Sequence, residues 1–419
     1  MSFTAINTHQ STTQVDKWVA RLLMVSFFLG IKGQAIGVVA CIGYFFFKSI
    51  FERHPISMSH IKWALVMGSG FFLYLIALPL TPQAFSDKMH LVVEGRLSYL
   101  LFPILVGLTA RKYINVLVSE FRFFVFAAVA TCIYANTWFV THFYLLHHDQ
   151  GQVINHVTYR IFFETVTQTH PTYISMYISA AIFMLLTGIT QLNKLVSSLL
   201  GYLLLAFLLA ILAKSPVLAV GIAALHFAWE QRGKIAQYKW AIVGLVAVIA
   251  MSYLFVPFVS QRVNELITVG GGKSHNPVAD NSLNERKLIW EVDKSALSQF
   301  WKTGCGPGKL MYELKLRYFF NSMTYKTNIG LFDPHSQYFY ECISFGVLGV
   351  VFLLIGFGTH IIRALKSGNK FYAYLLLLFG ITFFTESLLV RQQGLLFYAF
   401  FTSVMFFYTL TSHQRKSLR

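Results

Sequence analysis

Chemistry is easiest to place in this sequence at a histidine standing at the mouth of a long apolar run. The segment Asp333-Pro334-His335-Ser336-Gln337-Tyr338-Phe339-Tyr340-Glu341 leads into Gly346-Val347-Leu348-Gly349. Histidine has the pKa range of a general base near neutrality, and an acid two residues away can orient its ring. Upstream, Arg286 in Asn284-Glu285-Arg286-Lys287-Leu288-Ile289-Trp290 offers a guanidinium, the group that grips phosphate oxygens two at a time and keeps its charge when partly desolvated. Downstream, Glu386 and Arg391 close another apolar run, where ionisable groups are costly unless paired or functional. Lys214, in Ala213-Lys214-Ser215-Pro216, supplies a point charge, and Arg160 and His170 flank the entry to a further run. Each has a plainer reading as well: a helix cap for His335, a solvated loop arginine for Arg286, a structural ion pair for Glu386 and Arg391, a snorkelling lysine for Lys214.

The elements that must hold these residues are membrane helices. The 419 residues are 56% hydrophobic and only 12% charged, a composition whose solvent is lipid. Stretches of about 20 apolar residues recur along the chain. They are placed near 16–31, 34–50, 62–82, 96–110, 118–145, 172–190, 196–213, 215–229, 240–257, 336–361, 371–388 and 394–411. The expected fold is therefore all-α: one polytopic membrane domain over 1–419 with about a dozen transmembrane helices. A long, partly helical loop at 258–335 joins the ninth helix to the tenth, and a shorter one lies near 146–171. Within the long loop, Leu288, Val292 and Leu297 recur at near-helical spacing before the turn-forming cluster Gly304-Cys305-Gly306-Pro307-Gly308.

The net charge of +17 sits mainly in alternate connectors: Lys48, Arg53 and Lys62; Arg111 and Lys112; Lys194; Arg232, Lys234 and Lys239; Arg363, Lys366 and Lys370. The other connectors are balanced, as in Asp87, Lys88, Glu94 and Arg96. By the positive-inside rule both termini are cytoplasmic and the two long loops face outward, so the charge is a topology signal, with contact to anionic lipid headgroups as a secondary benefit. Nucleic acid is not an expected partner. Cys41, Cys132, Cys305 and Cys342 lack metal or disulfide spacing. His142, His147, His148 and His156 form no paired-histidine helix face, so no metal is expected.

The ordering of these motifs resembles the O-antigen ligase and polymerase superfamily of bacterial envelopes. The resemblance rests on the histidine segment with its G-x-x-G entry into a helix, on the arginine-helix-tryptophan of Arg286 to Trp290 with the following glycine turn, and on Thr169-His170-Pro171-Thr172-Tyr173. The number and spacing of apolar runs agree over nearly the whole chain, and the sharp motifs fall within 284–349. One departure is Lys214, where the family usually has arginine.

The resemblance implies a GT-C-like glycosyltransferase in the bacterial inner membrane, with its active site on the periplasmic side and no metal or other cofactor. It would move a glycan from undecaprenyl pyrophosphate to a sugar of the lipid A-core, with inversion. In that frame His335 is the candidate base, Glu386 its orienting partner, and Arg286, Arg391 and Lys214 the cations that receive the pyrophosphate. Asp333, Arg160 and His170 are further candidates. The rival within the superfamily is a polymerase, whose acceptor is a second lipid-linked repeat. The rival from another class is a flippase for lipid-linked glycan, which needs a polar route through the midplane. Clustering of the ionisable residues at one face favours the enzyme.

Overall fold

The computed structural model describes residues 12–55, 57–142, 156–233, 282–325 and 332–416, with a few positions between 243 and 260. Among them the chain is helical throughout, without strands. A helix satisfies its own backbone hydrogen bonds, which lipid cannot do for it.

Six described helices are long and apolar enough to cross a membrane: Gly30–Phe51, Gln83–Leu108, Arg111–Val140, Lys194–Ile211, Val347–Ser367 and Gln392–Leu410. Met58–Met67 and Ser69–Leu80 make a seventh if counted together, bent by 64° at Gly68. The expected dozen spans is thus matched only in part. Pro171–Leu186 and Lys370–Thr385 are apolar but have 16 residues each, about 24 Å, short of the hydrocarbon core. The expected run 16–31 is the 13-residue helix Gln14–Ser26, and most of 240–257 lies outside the described residues. The expected helix 336–361 is two helices, Gln337–Phe345 and Val347–Ser367, separated by Gly346.

The helix Gln392–Lys416 is the axis of the bundle, with 89% of its apolar window buried against 17% for Lys194–Ile211, which faces outward. Its Phe401 packs edge-on against Phe124 and its Phe397 stacks on the same ring, while Phe27 meets Phe124, Tyr177 and Phe397 edge-on. Gly30–Phe51 has 22 residues, about 33 Å, and separates two polar ends. Gly30 lies against Gln168, beside the His170 turn, whereas Lys48 near the far terminus pairs with Asp16.

The long loop builds its own small core. Ser282–Phe300 and Leu310–Tyr325 pack on Gln337–Phe345 through Ile289, Val292, Ala296, Leu310, Leu314, Tyr318, Tyr340 and Ile343. Val292 and Leu297 of the expected stripe belong to it. The glycine turn docks onto the end of Gln337–Phe345: Cys305 N–H donates to Ile343 O at 2.8 Å and Gly306 N–H to Ser344 O at 2.9 Å. A side chain at Gly304 would collide with the Ser344 carbonyl, and one at Gly346, where φ is +65°, with that of Lys302. Only glycine at both positions lets the two backbones meet.

Candidate functional site

Two segments far apart in sequence are sewn together at the end of the bundle. The Ser387 hydroxyl donates to the Pro334 carbonyl, and the Ser336 hydroxyl to the Phe383 carbonyl at 3.3 Å. Between these stitches stand His335 and Glu386, with Nδ1 and Oε2 3.4 Å apart. Glu386 is extended at the C-cap of Lys370–Thr385, its N–H donating to Thr382 O at 2.8 Å, so its side chain leaves the helix toward His335. A 3₁₀ turn over Leu388–Val390 then delivers Arg391, whose Nη2 lies 3.6 Å from Asp333 Oδ1. The Arg391 side chain is 61% exposed and the His335 side chain 24%. The arrangement is a half-open histidine and carboxylate beside an outward-reaching guanidinium.

Buried polar residues support it from beneath. The Gln337 side chain accepts from Leu389 N–H at 2.8 Å and donates to Glu341 Oε1 at 2.8 Å. Tyr74 donates to both Glu341 oxygens, at 2.9 and 3.1 Å. Arg96 donates through Nη1 to Val390 O at 3.0 Å and lies between the rings of Tyr74 and Tyr340, at 5.6 and 5.4 Å. Arg96 and Glu341 are buried, so Arg96 is not the loop charge its sequence neighbours suggest. An ionisable residue at the edge of an apolar run was the signal that could have singled out both.

The remaining candidates divide. His170 caps Pro171–Leu186, its Nδ1 accepting from Thr172 N–H at 3.3 Å, and it feels the charges of Glu386, Glu164, Arg160 and Arg391. Its turn is tied to the Arg391 segment: Gln393 donates to Gln168 O at 3.1 Å and Thr169 Oγ1 at 3.2 Å. Arg160, on His156–Thr167, therefore stands at the same end. Lys214 opens Lys214–Glu230 after Leu212, whose left-handed φ of +49° turns the chain back. The neighbouring Ser215 hydroxyl bonds Thr385, next to Glu386. Arg286 sits on Ser282–Phe300, but its side chain lies outside the described residues. Among the described residues no three His, Cys, Asp or Glu side chains are grouped to hold a metal ion.

Residues 199–354 match the family described as O-antigen ligase. The interval takes in Lys214, the loop helices, the glycine turn, Asp333 and His335, and ends within Val347–Ser367, before Glu386 and Arg391. No curated protein matches the chain. The match covers the stretch that carries the histidine segment and glycine turn, and it supports the resemblance to the O-antigen ligase and polymerase superfamily.

Proposed function

We propose that this protein is an O-antigen ligase of the bacterial inner membrane. It transfers a glycan from undecaprenyl pyrophosphate to a lipid A-core sugar at the periplasmic face, without a metal. The observation that carries the reading is the 3.4 Å approach of His335 Nδ1 to Glu386 Oε2 beside an exposed arginine. A carboxylate that accepts from Nδ1–H leaves the lone pair of Nε2 as the base. The acceptor hydroxyl then gives its proton to Nε2 as its oxygen bonds the anomeric carbon. The anomeric carbon–oxygen bond breaks, and its electrons leave with the pyrophosphate.

Charge therefore grows on the leaving group, and cations held nearby lower the barrier. Arg391, loosely tied to Asp333, can turn to the pyrophosphate. Arg286 and Lys214 complete the cationic rim, while Arg160 and His170 contact donor or acceptor. Attack opposite to the departing pyrophosphate inverts the anomeric centre.

The test is purified protein in detergent with a lipid-linked glycan donor and either a lipid A-core acceptor or a second lipid-linked repeat. Transfer to the core, undiminished by EDTA, is the expected result. Extension of the lipid-linked repeat alone would make the protein a polymerase, and activity lost to EDTA but restored by magnesium would end the metal-free mechanism.

A further inference from the structure

Asp293 is fully buried, and neither of its carboxylate oxygens has a hydrogen-bond partner. It lies on the face of Ser282–Phe300 that presents Ile289, Val292 and Ala296 to the loop core, where an apolar residue would pack at no electrostatic cost. The same core reaches the candidate base: the Tyr318 ring lies 6.5 Å from Phe332, and Phe332 lies 6.0 Å from His335. The Tyr318 hydroxyl is also buried without a partner.

The groups whose charges reach Asp293 are His335 and Asp333 from the segment before Gln337–Phe345 and Tyr318 from Leu310–Tyr325. Burial pushes the Asp293 carboxyl up to about 7; Asp333 adds to the rise and His335 opposes it.

We infer that Asp293 is a positioning residue for His335: its carboxylate is a second negative charge, after Glu386, that favours the protonated ring formed when the acceptor hydroxyl is deprotonated. The inference rests on the reading of His335 as the base. An unsatisfied buried carboxyl destabilises the protein that carries it, and what the Asp293 carboxylate supplies in return is a charge that reaches His335 across the loop core.

Two signatures follow. A carboxyl whose folded pKa exceeds its unfolded value of about 3.9 costs nothing in acid, where both states are protonated. The stability it shares with the neutral form is lost as pH rises toward 7. The Asp293→Asn variant should therefore melt higher than the parent at pH 8, with the difference vanishing toward pH 4. Removing the negative charge also lets His335 lose its proton at lower pH. The acid limb of transfer should move down by about half a unit to one unit, with optimal turnover reduced about tenfold. The Asp293→Glu variant should restore the limb.

The experiment is melting and transfer across pH 4–8 for Asp293→Asn and Asp293→Glu, with His335→Ala in the same assay. An unshifted acid limb, or a lower melting temperature at pH 8, in Asp293→Asn overturns the inference even if His335→Ala is inactive. An active His335→Ala overturns the base reading beneath it.

Discussion

The two polar ends of the bundle use the same residue types under different tension. At the end with Lys48, ion pairs are close: Lys112 to Glu52 at 2.8 Å, Lys370 to Glu230 at 2.8 Å, Arg21 to Glu120 at 3.1 Å, and Lys48 on the buried Asp16. At the end with His335, the approaches around the histidine are wider, 3.4 Å to Glu386 and 3.6 Å between Arg391 and Asp333, although Glu313 on the neighbouring loop helix pairs closely with Lys309 at 2.7 Å and Arg317 at 2.9 Å. Close pairs consume the hydrogen-bonding capacity of both partners. The wide Arg391–Asp333 approach leaves the guanidinium largely exposed, while close hydrogen bonds lie one layer deeper, in Arg96, Tyr74, Gln337 and Glu341.

Substitutions at the two ends should fail in different ways. The largest effect is expected for His335→Ala. Loss of the base should lower transfer by about 10²–10⁴ with little change in melting temperature, and near-parental transfer per folded molecule would make the two ends alike. Next comes Glu386→Gln, which keeps the shape and an acceptor oxygen for Nδ1–H but removes the negative charge that favours the protonated ring, for a loss of up to about a hundredfold. Arg391→Lys keeps the charge without the fork, so donor KM should rise by several-fold to about tenfold. The smallest effect on chemistry belongs to Lys48→Met. It leaves the Asp16 carboxylate, 1% exposed, without its cation, so stability should fall by about 1–3 kcal/mol while transfer per folded molecule stays unchanged. A drop in transfer beyond the loss of folded protein would tie that end to the reaction.

Much of the end with His335 was legible because its residues break an apolar pattern. His335, Glu386 and Arg391 stand at the ends of hydrophobic runs, and the sequence order of motifs matched a known plan. Their partners were harder to read. Arg96 follows Asp87, Lys88 and Glu94, whose charges balance it locally, and that balance masks the signal of a charge at the edge of an apolar run, a charge over which the aromatic rings of Tyr74 and Tyr340 close. Asp293 reads as the solvated position of an amphipathic helix, and only the packing of Leu310–Tyr325 and Phe332 turns that face inward. The break at Gly346 was hidden because both flanking helices are apolar and the hydrophobic pattern runs through the junction without a gap. Span counting reached its limit for a similar reason: hydropathy registers apolar length, whereas Pro171–Leu186 and Lys370–Thr385 are packed among neighbours and stop short of a full crossing.

The separate loop core has a consequence for the order in which the molecule is made. Ser282–Phe300 and Leu310–Tyr325 precede His335 in the chain, yet the core they share is completed only when Gln337–Phe345 adds Tyr340 and Ile343, and Glu386 and Arg391 are synthesised later still. In a chain that folds in order of synthesis, the loop helices and His335 are therefore made before the carboxylate that His335 meets. The histidine meets its carboxylate only when Lys370–Thr385 has inserted and the Ser387–Pro334 bond can close. A chain that stops short of Lys370–Thr385 thus lacks the His335–Glu386 pair altogether.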